Sequence, residues 1–194
     1  DRSDYIEIYL ISAVDGQVID RLVKAERTGD LESLHSYLSG ITFSPDGEKI
    51  AFVAKSSGKD AIYFLTTKDK NIYLRKFFNF NSILSPVWSP DGSKLAFSAL
   101  IGRQRELVIY DIESDTTYRL SQDDYDDIDP SWFPDSKRLV FSSDRPHPDN
   151  ETILSPDYMP QDSVDFRNIY NPFGYGNYNL FVMNISDGNI ESIR

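Results

Sequence analysis

His35 and His147 are the only two histidines in the chain. Neither has a second ligand at metal-binding spacing, such as the His-Glu-x-x-His pair that seats zinc on one helix face. There are no cysteines, so thiolate nucleophiles, disulfides and cysteine-bound zinc are excluded. No Gly-x-Ser-x-Gly elbow presents a serine nucleophile, no serine has an evident base, and no glycine-rich loop is placed to cradle phosphate. These features predict no catalytic constellation in this chain. The densest set of side-chain oxygens is Asp123, Asp124, Asp126, Asp127 and Asp129. Carboxylates at that density are what calcium takes as ligands, but the run lacks the glycine-punctuated spacing of an EF-hand loop. The sequence implies no cofactor, and calcium is the one ion this run has the oxygens to hold. The other chemistry open to such a run is electrostatic, the attraction of a cationic peptide or protein.

The whole chain shares that bias. Its 194 residues carry 20 basic and 31 acidic side chains, a net charge of −11, which argues against nucleic acid as a partner. At 40% hydrophobic and 13% aromatic it is too apolar for a disordered tail. No apolar run approaches the roughly 18 residues of a membrane span. The chain opens on Asp1, with no signal peptide in view, which fits a processed protein or an excised piece of a longer one.

An internal repeat supplies the elements that must position the acidic run. ITFSPDGEKIAF (41–52), VWSPDGSKLAF (87–97) and SWFPDSKRLVF (131–141) align, with prolines at 45, 90 and 134 and hence spacings of 45 and 44 residues. A period near 45 with strand-like content is that of a propeller blade. Each copy reads as a hairpin. Proline presets φ for the second turn position, aspartate suits the third, and glycine takes the left-handed position after it. The third copy has Ser136 where glycine is expected, which costs roughly 1 kcal/mol and predicts the weakest turn of the three.

A second hairpin follows each first one. AIYFL (61–65) leads to NIYL (71–74), LVIYD (107–111) to TYRL (117–120), and NLFVM (179–183) to NIESI (189–193). At the start of the chain IEIYL (6–10) leads through Asp15-Gly16 to VIDRL (18–22), the short hairpin signal that recurs at Asp187-Gly188. The expected fold is therefore all-β: the last two strands of one blade over 1–23, then four-stranded blades over 38–77, 84–120 and 128–194. Closed propellers have roughly four to eight blades, so the count predicts a part of a larger propeller. A three-blade prism-like array of sheets is the alternative. Phe43, Ile50, Phe52, Trp88, Leu95, Phe97, Trp132, Leu139 and Phe141 are the expected core.

The tracts FSPDGEKIAFVA, WSPDGSKLAFSA and WFPDSKRLVFSSDRP resemble the TolB-like propeller repeat, the Pro-Asp relative of the WD repeat. The third departs from the pattern at Phe133 and Ser136. The resemblance covers nearly all the chain except 24–39 and 146–178. It implies a propeller, an extracytoplasmic location and a structural role for Asp129 at the strand entry. Such repeats occur in the periplasmic Tol–Pal component, in peptidases of the tricorn and prolyl-oligopeptidase types, and in multidomain envelope proteins, so the fold does not choose the function.

In an antiparallel four-stranded blade, turns alternate between two ends. Residues 24–39, 55–60, 78–84, 100–105, 121–128 and 144–178 should therefore share one face of the disc, opposite the Ser-Pro-Asp-Gly turns. Residues 121–129 hold five acids and no base; 144–178 hold six acids and two arginines. Together they carry −9 of the −11. The 144–178 insertion also holds five of the ten prolines, with Tyr158, Phe166, Tyr170, Phe173, Tyr175 and Tyr178. That composition suits an ordered loop, packed on the propeller or on a partner. In 24–39, Leu31, Leu34 and Leu38 follow a potential Asp30 cap, which predicts one short helix over 31–37.

The reading is a non-catalytic protein- or peptide-binding or scaffold module of a bacterial envelope protein. Its expected contact residues are Asp123, Asp124, Asp126, Asp127, Tyr158, Phe166, Tyr170, Phe173 and Tyr175. The alternatives are an accessory, substrate-gating propeller of a larger peptidase and a structural subunit of an envelope assembly. Further blades or domains of the same polypeptide are also expected partners.

Overall fold

The computed structural model describes residues 7–24, 31, 33–34, 40–146 and 178–193. Among these there is no helix, and fifteen strands form four antiparallel sheets. Strands β1 (Ile8–Ile11) and β2 (Val18–Val23) pair as a lone hairpin. The next sheet has an inner strand in two pieces, β3 (Ser33–Leu34) and β4 (Ile41–Phe43), both on β5 (Lys49–Ser56), followed outward by β6 (Lys59–Thr66) and β7 (Ile72–Phe77). Then come β8 (Ser82–Trp88), β9 (Lys94–Ile101), β10 (Gln104–Asp111) and β11 (Thr116–Arg119). The last sheet is β12 (Asp127–Trp132), β13 (Arg138–Ser143), β14 (Asn179–Asn184) and β15 (Ile190–Ser192). Three complete blades thus follow one outer hairpin, a partial propeller as the repeat predicts.

The predicted helix over 31–37 does not form where the chain is described. Ser33 pairs with Lys55 and Leu34 with Ala54, and Leu31 and Leu34 join the core between the first hairpin and the first complete blade. A seven-residue helix is marginal alone, whereas the inner edge of β5 presents backbone groups that need partners. The first complete blade therefore reaches upstream to Ser33, rather than beginning at 38.

Each turn end is built the same way. Ser44 Oγ accepts the Lys49 N–H at 2.9 Å, and Asp46 accepts the Glu48 N–H at 2.9 Å. One blade on, Ser89 accepts from Lys94 at 2.9 Å and Asp91 from Ser93 at 3.0 Å. The third turn solves the same problem with other groups. Asp135 accepts from the Lys137 and Arg138 backbone at 2.9 and 3.2 Å and from Arg138 Nε at 2.8 Å, and the Arg138 guanidinium lies 4.4 Å from the Phe133 ring centre. Ser136 holds a left-handed φ of 56°, and its hydroxyl accepts the Asp91 N–H of the neighbouring turn at 3.0 Å. That bond, worth about 1 kcal/mol, offsets the backbone cost, so this turn is not simply the weakest.

Packing between blades fills the rest. Ala51, Val53, Ile62 and Phe64 meet Ile83, Trp88, Leu95, Phe97 and Ala99 in one cluster, with the Phe64 and Trp88 rings edge to face at 5.7 Å. Strands β5 and β9 are buried on both faces, which is why their sequences are nearly continuously apolar. Seven of the nine expected core residues are buried. Trp132 is half-buried and Phe43 is exposed. Phe43 belongs to an inner strand with no inner strand described on its far side. The paired tryptophans also differ in their bonds: Trp88 Nε1 donates to Gly92 O in its own turn, while Trp132 Nε1 donates to Val87 O in the preceding blade.

On the outer rim, Lys70 bonds Asp20 at 2.6 Å across to the first hairpin, and Lys76 reaches Asp115 across the next gap. A crevice of about 470 Å3 opens beside Lys70, floored by Leu22, Tyr63, Leu65 and Tyr73.

Two outcomes follow for the turns. Ser136→Gly relieves the left-handed backbone but loses the bond to Asp91, so its denaturation midpoint should stay near that of the parent. Ser136→Ala loses the bond and keeps the strain, and should cost about 1 kcal/mol. The Ser44 hydroxyl and Glu48 N–H hold the Asp46 carboxyl below its ordinary value, and the Lys137 N–H and Arg138 do the same for Asp135. A lowered carboxyl contributes stability that is present above its unfolded value, about 3.9, and is lost as pH falls through the folded one. Thermal melts should therefore drop below about pH 4, and Asp46→Asn should flatten that acid limb.

Candidate functional site: the loop face around Arg145

The turn residues Ser57-Gly58 and Gly102-Arg103, the links 78–81 and 120–126, and the root of the insertion lie at the blade ends opposite the Pro-Asp turns. Here the acidic run meets its counter-charges. Asp126 Oδ1 accepts the Arg105 N–H at 2.7 Å, and Asp126 Oδ2 accepts from Arg105 Nη1 at 2.8 Å. The Asp126 N–H donates in turn to Asp144 Oδ1 at 2.8 Å. Arg145 Nη2 donates to both oxygens of Asp127 at 2.8 Å and to Asp123 Oδ2 at 3.1 Å, and Arg145 Nε donates to Ser143 Oγ at 2.9 Å. The guanidinium also lies 5.3 to 5.5 Å from the ring centres of Phe181, Phe141 and Tyr125. Arg145 is only 11% exposed and Asp127 is fully buried.

The electrostatics follow from this packing. Burial pushes the Asp127 carboxyl up, while Ser143, Arg145 and Ser121 pull the other way. Glu106, buried on the neighbouring β10, is likewise pushed up by burial, opposed by Ser121 and by Arg119, its 2.8 Å ion-pair partner. Taking charges out of water is costly, and an unpaired partner left behind costs more than the pair is worth. The cluster is therefore a strut. It ties the end of β11, the start of β12 and the end of β13 into one piece.

The sequence-derived contact residues separate accordingly. Asp127 is interior, and its expected role at a partner surface is corrected: its carboxylate is spent on Arg145. Asp126 is half-buried against Arg105, and Asp123 is partly exposed beside Arg145. Asp124 is exposed. Asp129 is exposed with a left-handed φ of 51° and accepts Ser85 Oγ at 2.6 Å, a link between the inner strands of two blades. Tyr158, Phe166, Tyr170, Phe173, Tyr175 and both histidines lie outside the described residues. The Asp144 and Arg145 contacts bring the root of the insertion against the acidic run, as loop parity requires, and Asn179 Nδ2 donates to Arg145 O at 3.4 Å across that root. Among the described residues, no group of three or more acidic, histidine or cysteine side chains is arranged to hold a metal ion. A guanidinium stands between Asp123 and Asp127, the two carboxylates it bridges.

Sequence reasoning missed Arg105 and Arg145, because a charge count over 121–129 ignores bases on adjacent strands. A signal existed. Arg145 lies just past the third repeat's second strand tract, between Asp144 and Pro146, in a stretch otherwise rich in acids.

Comparison with known proteins agrees with this architecture. The TolB beta propeller domain model matches residues 31–150, more than half of the chain. The chain belongs to that family. It is 34% identical over 87 residues to a protein TolB homolog of Chlorobium chlorochromatii, covering 44% of this chain and 19% of that protein. It is 35% identical over 69 residues to the Tol-Pal system protein TolB of Histophilus somni, covering 34% of this chain and 16% of that one. Among solved structures, a protein assigned as TolB from Agrobacterium tumefaciens superposes with a TM-score of 0.66 at 18% identity. That superposition covers 96% of this chain and 55% of the other. The chain thus spans about half of that propeller protein, and its matches cover less than a fifth of the two curated relatives.

The strut makes a sharp contrast between neighbouring aspartates. Arg145→Ala should cost about 3–5 kcal/mol by stranding a buried carboxylate. Asp124→Asn should stay within about 0.5 kcal/mol of the parent. Urea denaturation of the two variants beside the parent checks both.

Proposed function

We propose that the chain is a non-catalytic, protein- or peptide-binding propeller module of a bacterial envelope protein, working outside the cytoplasm. It binds through the loop face that carries the acidic run and the 144–178 insertion. The observation that carries this reading is the strut. A largely buried arginine side chain, flanked by three aromatic rings and two carboxylates, fixes the foot of a long, aromatic-rich insertion to a rigid sheet, beside the exposed Asp124. Long loops on a rigid scaffold are where propellers and barrels place their contacts. The name of the Histophilus somni relative, a Tol-Pal system protein, supports an envelope setting with a protein partner. The charge left on this face favours a partner with a basic patch and an association rate that falls with salt.

The two faces of the disc provide the test. A photo-crosslinking residue placed at Asp124 or Tyr170 should yield adducts to envelope protein in intact cells. The same residue at Glu48 or Ser93, on the turn face, should not. Raising the salt in permeabilised cells should weaken the first set. Adducts from the turn face alone, or none from either face, would overturn the assignment.

A further inference from the structure

The outer turns of the first two complete blades are equivalent. The Thr67 N–H donates to Glu48 O and the Ile112 N–H to Ser93 O, each reaching its own blade's inner turn. Lys70 and Asp115 hold the same left-handed φ, 54° and 55°. Leu65 and Tyr110, five residues before them, are therefore equivalent too, and each packs toward the preceding sheet. There the two gaps part. Tyr110 closes its gap: its hydroxyl donates to Asp115 at 2.8 Å, Phe78 meets its ring edge to face at 5.6 Å, and Lys76 of the preceding blade lies 5.4 Å from the ring centre. Leu65 has no ring to extend that far and no hydroxyl to offer Lys70, which pairs instead with Asp20 across the gap. The gap that a tyrosine closes in one interface stays open beside Leu65 in the other, as the crevice of about 470 Å3 between β2 and β7.

We propose that this crevice binds a small organic anion, a carboxylate carried on a flat apolar body. The walls set both halves of that ligand. The floor is apolar and aromatic, from Leu22, Leu65 and Tyr63, with the Tyr73 ring at the side. The charged residues of the lining are Lys24, Lys70 and Arg75, and among the described lining residues none is acidic. Three cations around one crevice, in a chain of net charge −11, reverse the field locally, and the low-dielectric floor strengthens it. Burial and Asp46 push the Tyr73 phenol up, so it stays a neutral hydrogen-bond donor. The volume lies within the roughly 300–1,000 Å3 of small-molecule sites, which likewise combine an apolar lining with a few polar groups. The crevice lies between outer strands, away from the acidic run on the loop face, so this site does not depend on the partner surface proposed above.

The test titrates the 194-residue chain with naphthylacetate and with its neutral isostere naphthylacetamide, followed by calorimetry and by backbone amide shifts. The acid should bind one to one, at least about fivefold tighter than the amide, with the largest shifts at residues 22–24 and 72–75. Lys24→Gln with Arg75→Gln should remove that preference, and Ile72→Glu should reverse it, each with Tm within about 3 °C of the parent. Lys70 is left in place because its bond to Asp20 ties down the first hairpin. Ile72 is exposed, so its variant decides the matter even if the double variant unfolds. Equal binding of acid and amide would show an apolar cleft only and overturn the proposal. So would an acid preference that survives in the variants, shifts centred on residues 120–126, or no saturation by about 10 mM.

Discussion

A four-stranded blade has two apolar faces and can cover neither by itself. Everything regular in this molecule follows from that constraint. The sheets β5–β6 and β9–β10 are buried from both sides, so their strands are apolar at consecutive positions instead of alternate ones. Among the described residues the same sheet in the last blade is covered on one side, and β13 alternates buried and more exposed residues accordingly. The repeat fixes not only the strands but what each strand needs from its neighbour. Phe64, Trp88, Phe97 and Tyr110 fill the wedge between two blades, and a chain with one blade would leave them in water.

The two ends of the disc use this framework differently. At the turn end the groups that close each turn also reach the next one, through Gly92 against Pro45 and Ser136 to Asp91. Little side chain is left over, and the surface is short and repetitive. At the other end the links are longer and the repeat is broken. Charge must then be settled by residues from different strands, and Arg105 and Arg145 do so for three aspartates, Asp126, Asp123 and Asp127.

The architecture was legible because hairpin chemistry is local. Proline, aspartate and glycine within four residues declare a turn, and three turns at one spacing declare the blades. What failed was non-local. The stretch 31–37 carries a helical leucine spacing, yet Ser33 and Leu34 pair with β5, since an open strand edge outweighs a weak helical preference. Strand alternation and the blade-interface position put Phe43 inside, yet it is exposed, with no inner strand described on its far side. Asp127 was read with its neighbours as surface charge, although it lies beneath them. Its partner is eighteen positions away in sequence and became visible only when β12 and β13 were aligned.

The last blade departs most from the repeat, and its departures are compensated in kind. Phe133 replaces the serine that closes the other turns, and Arg138 stacks on it while bonding Asp135. Ser136 replaces glycine, and its hydroxyl engages the neighbouring turn. The insertion 144–178 replaces what is elsewhere a two-residue connection, a change whose chain-entropy cost grows only slowly with length. What such an insertion does demand is a fixed pair of ends. Arg145 supplies one through Asp127, and Asn179 supplies the other through the Arg145 carbonyl. Two of these three repairs use an arginine to hold carboxylates and aromatic rings together, which a lysine could not do in the same geometry. A blade altered in this way keeps its place in the sheet stack, because each departure is answered by a bond from a described neighbouring residue.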